Sequence, residues 1–257
     1  MLATLTLCRR ELVRFYRQRS RMIGVIGSPL VFWFLIGSGL SKSFRHPAAP
    51  PEMNYLEYFF PGTIVLIVLF TSIFSTISII EDRKEGFLQS VIVAPVSGVS
   101  IALGKILGGT ALSLIQAVIL LLIAPFLGIQ FTVLSLLLIF LVLFIVAFGL
   151  TGLGFFIAWR MDSTQGFHAI MNLFLIPLWL LSGALFPASG AAGWLSTLMQ
   201  LNPISYGIAA LRQALYFNGH VATQELTPLS LNLFIVFVFA AVMLYLSAVS
   251  VRKKATL

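Results

Sequence analysis

The chain has 257 residues, of which 59% are hydrophobic and only 9% charged, with a formal net charge of +8 and a mean hydropathy of +1.03. Soluble globular domains carry about 25% charged residues, so this composition excludes one and points to a polytopic membrane protein whose apolar surface faces lipid. The positive balance is no sign of nucleic-acid binding, because the basic residues are distributed by segment rather than gathered into one patch.

Residues 1–21 come first. Leu5, Cys8, Leu12 and Phe15 recur at helical spacing, while Arg10, Arg14, Arg17 and Arg21 line another face. That pattern predicts a basic amphipathic helix on the inner leaflet, drawn to anionic lipid and within reach of a cytoplasmic partner. The first apolar run begins after residue 21. It is too long for a signal-peptide core and lacks a small-residue cleavage site close behind it, so it is expected to stay as a first span. Cys8 is the single cysteine, which leaves neither an intrachain disulfide framework nor a Cys/His metal cluster.

Six apolar stretches meet the length of about 20 residues that a crossing helix needs: residues 22–40, 58–80, 101–124, 131–158, 167–186 and 229–251. With six crossings, only Lys42, Arg45 and Arg212 of the 16 Lys and Arg residues fall on one side. The positive-inside rule then puts both termini and the 81–105 segment in the cytoplasm. Residues 187–228 are hydrophobic but broken by Pro187, Gly190, Gly193, Pro203 and Gly219. Their short apolar runs suit an outer-face re-entrant helical hairpin. The expected fold is therefore all-α: an N-terminal interfacial helix (1–21) and a six-span transmembrane domain (22–257).

Between the second and third spans stands Glu81-Asp82-Arg83-Lys84-Glu85. Each such charge costs about 2.5–3.5 kcal/mol at the centre of a bilayer, so the run is expected to be a surfaced loop. Phe87, Leu88, Val91 and Ile92 then mark one face of a short amphipathic helix, and Pro95 disfavours helix at Ala94. A solvated loop that only fixes topology is the simpler reading; a docking element for a soluble partner is the sharper one.

Nothing in the chain looks catalytic. His46, His168 and His220 are too far apart in sequence to suggest a metal site. Gly98 to Lys105 imitates a phosphate-binding loop, but five residues separate the glycines and Ile106 follows the lysine where Ser or Thr is needed. Ion-coupled carriers place acids or histidines at membrane depth. Without those, any transport here is expected to draw its energy from outside the membrane.

Three motifs carry a family resemblance. They are Glu81-Asp82-Arg83-Lys84-Glu85-Gly86-Phe87-Leu88-Gln89 followed by Ala94-Pro95-Val96-Ser97 and Leu103-Gly104-Lys105; Leu181-Ser182-Gly183-Ala184-Leu185-Phe186-Pro187; and Leu201-Asn202-Pro203-Ile204-Ser205-Tyr206 with Leu211-Arg212. In order and spacing they resemble the type-2 ATP-binding-cassette (ABC) exporter permeases over nearly the whole chain. Phe87 stands where that family commonly has Thr. The resemblance implies a non-enzymatic transmembrane subunit in a bacterial cytoplasmic membrane, paired with a second permease copy as homodimer or heterodimer. It also implies two copies of a cytoplasmic ABC ATPase, which would bind the ATP and magnesium. Carried onto this chain, it makes Glu81, Arg83, Glu85, Gly86, Phe87 and Leu88 the ATPase contacts, with Pro95 ending the coupling helix. The N-terminal helix, with Arg10, Arg14 and Arg17, would touch the ATPase too.

A substrate path is harder to read. Thr71, Ser75 and Ser78 share a face of the second span, and Asn172, Phe174 and Trp179 sit in the fifth; either set suits a polar path or ordinary helix packing. The nearly uncharged spans favour a hydrophobic or amphipathic passenger such as a drug, lipid or lipid-linked glycan. The competing class is a membrane interaction or sensory subunit that docks a cytoplasmic partner without moving a solute.

Overall fold

The computed structural model describes residues 2–17, 27, 30, 31, 33–39, 55–93, 96–188, 191–217 and 227–254. All regular structure among them is helical. In chain order the helices are α1 (Leu2–Tyr16), α2 (Tyr55–Ser75), α3 (Ile77–Lys84), α4 (Phe87–Val93), α5 (Gly98–Leu121), α6 (Val133–Ala158), α7 (Thr164–Leu180), α8 (Gly193–Leu201), α9 (Pro203–Leu215) and α10 (Leu229–Lys254). Four stretches are long and apolar enough to cross a bilayer: Tyr55–Lys84, Gly98–Leu121, Val133–Ala158 and Leu229–Val251.

The other two expected spans fare differently. Nine of the nineteen residues of 22–40 lie outside the described residues; the described ones are helical, and Trp33 Nε1 donates to the Leu56 carbonyl at 3.2 Å. The expected 167–186 span is shorter than anticipated. Helix α7 has 17 residues and ends at Leu180, because a turn through Gly183 (φ 77°) redirects the chain and Asn202 takes the freed carbonyls. The Asn202 amide donates to Leu178 O (2.6 Å) and Leu181 O (3.0 Å) while its oxygen accepts from Ile204 N–H (3.0 Å). One side chain thus caps both the end of α7 and the start of α9, where Pro203 occupies the first helical position. The broken apolar stretch of 187–228 does form two short helices, α8 and α9.

Helix α2 is the centre of the bundle. Phe59, Phe60, Ile64, Val65, Ile67, Val68, Leu69 and Ile73 are all fully buried, and 89% of its most apolar window is covered by the chain, against 28% for α10. Helix α10 sits at the periphery and turns Phe234, Phe237 and Tyr245 outward, as a lipid-facing helix does. Small residues set the close approaches. A Cβ built on Gly109 would lie 2.3 Å from Ser75 Oγ and 2.6 Å from a Thr151 methyl, where α2, α5 and α6 meet.

The end of the bundle near Tyr55 is fastened by polar side chains on backbone carbonyls. Pro61 lies inside α2 and offers no N–H to the carbonyl of Glu57; the Tyr216 hydroxyl donates to that carbonyl at 2.8 Å. Trp179 Nε1 donates to Gly62 O at 2.9 Å. The Gly183 carbonyl accepts from both Tyr58 Oη (3.2 Å) and Arg212 Nη2 (3.1 Å), with the Arg212 guanidinium 4.3 Å over the Tyr58 ring.

At the opposite end α2 and α3 run on as one 30-residue stretch, about 45 Å long at 1.5 Å per residue. A hydrocarbon core is about 30 Å thick, so the helix can carry charge past the core without becoming a loop. The expected loop at Glu81–Lys84 is in fact the last turns of α3, and only Glu85 and Gly86 turn before α4. Gly86 makes that turn at φ 78°.

Three substitutions probe these features. A Cβ on Gly62 would lie 2.7 Å from that of Ala184, so Gly62→Leu should cost about 1–3 kcal/mol by overpacking, seen as a lower midpoint of thermal unfolding in detergent. Gly193→Ala, where an added Cβ meets nothing, should leave the midpoint unchanged. Around Gly86 there is likewise open space, so Gly86→Ala tests backbone conformation alone. It should cost about 1–2 kcal/mol and raise amide exchange in α4 without affecting α7.

Candidate functional site at the charged end of the bundle

Helix α1 lies along α5, and glycines set the contact. A Cβ on Gly104 would sit 2.8 Å from Leu7 Cβ, and one on Gly108 would sit 2.7 Å from Glu11 Cβ. The buried stripe of α1 is Leu7, Glu11 and Phe15, whereas Leu5 is 65% exposed. The apolar face expected from Leu5, Cys8, Leu12 and Phe15 is therefore displaced, and an acid sits in its middle. Cys8 is half-buried, and burial raises its thiol pKa. A buried glutamate needs a cation, and α5 supplies Lys105.

Lys105 is itself buried. Its ammonium meets Glu11 and Asp82 in close ion pairs and donates to Ser78 Oγ at 3.3 Å. Asp82 on α3 is fully buried. Arg10 grips its carboxylate with both terminal nitrogens at 2.7 Å, and Arg14 adds a contact at 2.8 Å. Arg14 also reaches Glu81 at 2.7 Å and Glu85 at 3.5 Å. Bidentate, charge-assisted bonds of this kind are strong and directional. Hydrogen bonding to Asp82 raises the Arg10 pKa, so the guanidinium stays charged. Three cations and three acids (Glu11, Glu81 and Asp82) thus close on one another in a nearly neutral cluster, with Glu85 at its exposed edge.

The rest of α3 and α4 is anchored in the same way. Arg83 donates to the Trp159 carbonyl (2.6 Å), the Met161 carbonyl (3.0 Å) and Asp162 (2.8 Å). It thereby satisfies carbonyls that the end of α6 leaves open. Phe87 lies under Arg10, whose guanidinium is 3.8 Å from the ring centroid, and Leu88 is only 2% exposed. What faces outward is Lys84, Glu85, Gln89, Ser90 and Val93.

The residues singled out by sequence therefore divide. Of the expected ATPase contacts, Glu85 is outward, Glu81 is half-covered, and Arg83, Phe87 and Leu88 hold the element to the bundle. Gly86 makes the bend, and Pro95 lies outside the described residues. Arg10 and Arg14 point into the chain, while Arg17 is exposed. On the expected path, Thr71 and Ser75 are buried: Thr71 pairs with Gln116, and Ser75 donates to Ser72 O at 2.7 Å. Ser78 belongs to the ion cluster. Trp179 is buried against α2, whereas Asn172 and Phe174 face out of α7. These six positions are not brought together within one chain.

Asp82, Lys105 and Glu11 were absent from the sequence-derived site. A signal existed for two of them: Glu11 falls at i+4 from Leu7 and i−4 from Phe15 on a helix that carries three arginines, and Lys105 interrupts an apolar span. A charge in such a place demands a partner. Among the described residues no cluster of His, Cys, Asp or Glu is arranged to hold a metal ion.

Comparison with known proteins agrees with this architecture. The family description "ABC-2 type transporter" matches residues 3–216. A putative transport permease, ycf38, from Cyanophora paradoxa is 31% identical over 227 residues, spanning 87% of this chain and 78% of that protein. Its counterpart from Porphyra purpurea is 26% identical over 208 residues, or 80% and 71% of the two chains. The probable multidrug ABC transporter permease YbhR of Escherichia coli K12 is 28% identical over 163 residues, 61% of this chain and 43% of that one. With the family pattern spanning most of its length on a bundle of apolar helices, the chain belongs to the ABC-2 type transporters and is a membrane permease.

Proposed function

We propose that this chain is the permease subunit of an ATP-driven exporter, moving a hydrophobic or amphipathic solute with energy from a separate cytoplasmic ATPase. The observation that carries the reading is α4. It is a short helix pinned on one side by Phe87 and Leu88 and free on the other, at the end of the bundle where charge is concentrated. A partner that pushes on its free face meets an element that cannot simply yield. The buried polar residues at this end, Glu11, Asp82 and Lys105, are engaged in ion pairs with one another and with Arg10 and Arg14, which fits a transport subunit better than an enzyme. ATP and magnesium belong to the partner.

The same reading places six spans in the membrane, by adding 22–40 and α7 to the four long apolar stretches, with both termini and the charged end in the cytoplasm. It includes a second permease copy. Helix α7 buries only Phe167, Met171, Leu175 and Trp179 and turns Asn172, inside the span, outward. Polar groups in hydrocarbon are costly, and a second copy against α7 would remove them from lipid.

The outward residues can be altered without opening the core. Glu85→Lys and Val93→Asp should each reduce co-purification of the co-expressed ATPase at least about tenfold, the effect of roughly 1.4 kcal/mol at an interface, while leaving thermal unfolding unchanged. An intact complex in both variants would sink the docking surface. In liposomes, the wild-type complex should hydrolyse ATP faster with amphipathic solutes and be indifferent to ionophores. Stable binding with no solute response in a broad panel would favour a sensory subunit instead.

Topology is tested separately. In a Cys8→Ala background, a cysteine at Arg9 should react with an impermeant maleimide only from the cytoplasmic face, and one at Gln200 only from the opposite face. Labelling of both from one side would refute the six-span arrangement.

A further inference from the structure

The ion cluster does more than neutralise itself, because its members come from three separate elements. Asp82 is on α3, Arg10, Glu11 and Arg14 are on α1, and Lys105 is on α5. Helix α4 is tied in through Phe87 under Arg10. Helix α1 also rests on Gly104 and Gly108 with no room to spare, and Thr4 Oγ1 donates to Ser100 O at 3.4 Å. These are directional bonds, backbone-close packing and buried charge together, a combination that resists sliding of one helix over another.

Just above the cluster the helix is interrupted. Between α2 and α3, Thr76 takes φ −75° and ψ −7°. Its N–H bonds to Ile73 O at 3.1 Å and its hydroxyl to the same oxygen at 2.6 Å, and Ile79 N–H bonds back to Thr76 O at 3.0 Å. Three-residue bonds of this kind replace the regular four-residue ladder, and such breaks in a helix serve as joints. Gly154 of α6 faces this joint, where a Cβ would lie 2.8 Å from Thr76 Oγ1.

We propose that α1, α3, α4 and the first turns of α5 form one rigid coupling body, with Asp82 as its positioning residue and Thr76 as the joint that separates it from α2. A push on α4 would then reach the N-terminal helix and α5 together, and α2 would bend rather than transmit it in a straight line. This deepens the reading of α4 as the ATPase dock and rests on that reading for the source of the push; the rigidity itself does not depend on it.

Neutralising one member separates positioning from mere stability. In full-length protein in nanodiscs, Asp82→Asn should raise amide exchange across α1 by about tenfold or more, as expected when a local opening free energy falls, with α6 unaffected. The triple change Glu11→Gln, Asp82→Asn and Lys105→Met removes all three buried charges of the cluster, and replacing a buried ion cluster as a whole is often close to neutral for stability. It should therefore recover the unfolding midpoint. The spin-label distance between Arg9 and Gln89, in a Cys8→Ala background, should nevertheless stay broad, because the Arg10 fork has lost its target. Unchanged α1 exchange in Asp82→Asn, or a triple variant that regains both the midpoint and a narrow distance, would overturn the proposal.

In the ATPase complex, Thr4→Cys with Ser100→Cys bridged by a short bifunctional maleimide should keep ATP hydrolysis within about twofold of the unbridged form, less than RT in free energy. Loss of hydrolysis on bridging would show that α1 must slide on α5, and would also overturn it. If the wild-type chain binds no ATPase, the exporter reading fails, and the exchange and distance measurements still decide whether the body is rigid.

Discussion

A carboxylate with no exposure to water, Asp82, is the constraint around which the charged end is organised. Leaving such a group unpaired would cost several kcal/mol, so its surroundings must supply cations at fixed positions. Arg10 and Arg14 can do so only if α1 lies against α5, and α1 can approach α5 closely because Gly104 and Gly108 carry no side chains. Lys105 can do so only from the turn of α5 that Gly104 and Gly108 flank. The position of the N-terminal helix, the small residues of α5 and the basic side of α1 are thus three consequences of one buried charge.

The other end of the bundle is built on a different principle. There the acceptors are backbone carbonyls left open by a proline, a left-handed glycine and the end of α7, and the donors are Tyr58, Tyr216, Trp179, Arg212 and Asn202. Carbonyl acceptors make a seam of directional contacts in which only Arg212 of the five donors is charged, so position is held without concentrating charge. Helix α2 connects the two ends. It is packed through its middle, carries Pro61 near the far seam and meets α3 at the Thr76 turn, the joint on which the proposed coupling body would tilt.

Much of this was legible in residue order. Apolar runs marked the four long stretches, the broken composition of 187–228 marked α8 and α9, and the motifs marked the family. The cost of charge in lipid, taken without helix length, predicts a loop for the charged run, whereas the structure continues it as helix. At 30 residues, Tyr55–Lys84 reaches beyond the hydrocarbon, and α1 and α5 provide a buried polar site that no local window reveals. The face of α1 was misassigned for a related reason. Helical periodicity locates apolar stripes but does not show that an acid within one, Glu11, has a lysine waiting 94 residues away. Gly104 and Gly108 were recognisable as a close-packing pair, although not the helix that would occupy it.

The division of α3 and α4 into inward and outward faces bears on what the family motif means here. Asp82, Arg83, Gly86, Phe87 and Leu88, five of the nine residues from Glu81 to Gln89, each bind, bend or pack the element onto the rest of the chain. The outward face consists of Lys84, Glu85, Gln89, Ser90 and Val93, residue types that individually carry little information. Recognition by sequence therefore fell mainly on the anchorage and only partly on the outward face. Under the proposed docking role this is the expected order, since a docking helix would transmit force only in proportion to how firmly its far side is held. The anchorage must satisfy buried charge and a left-handed turn at once, which few sequences can do, whereas an exposed face need match only its partner.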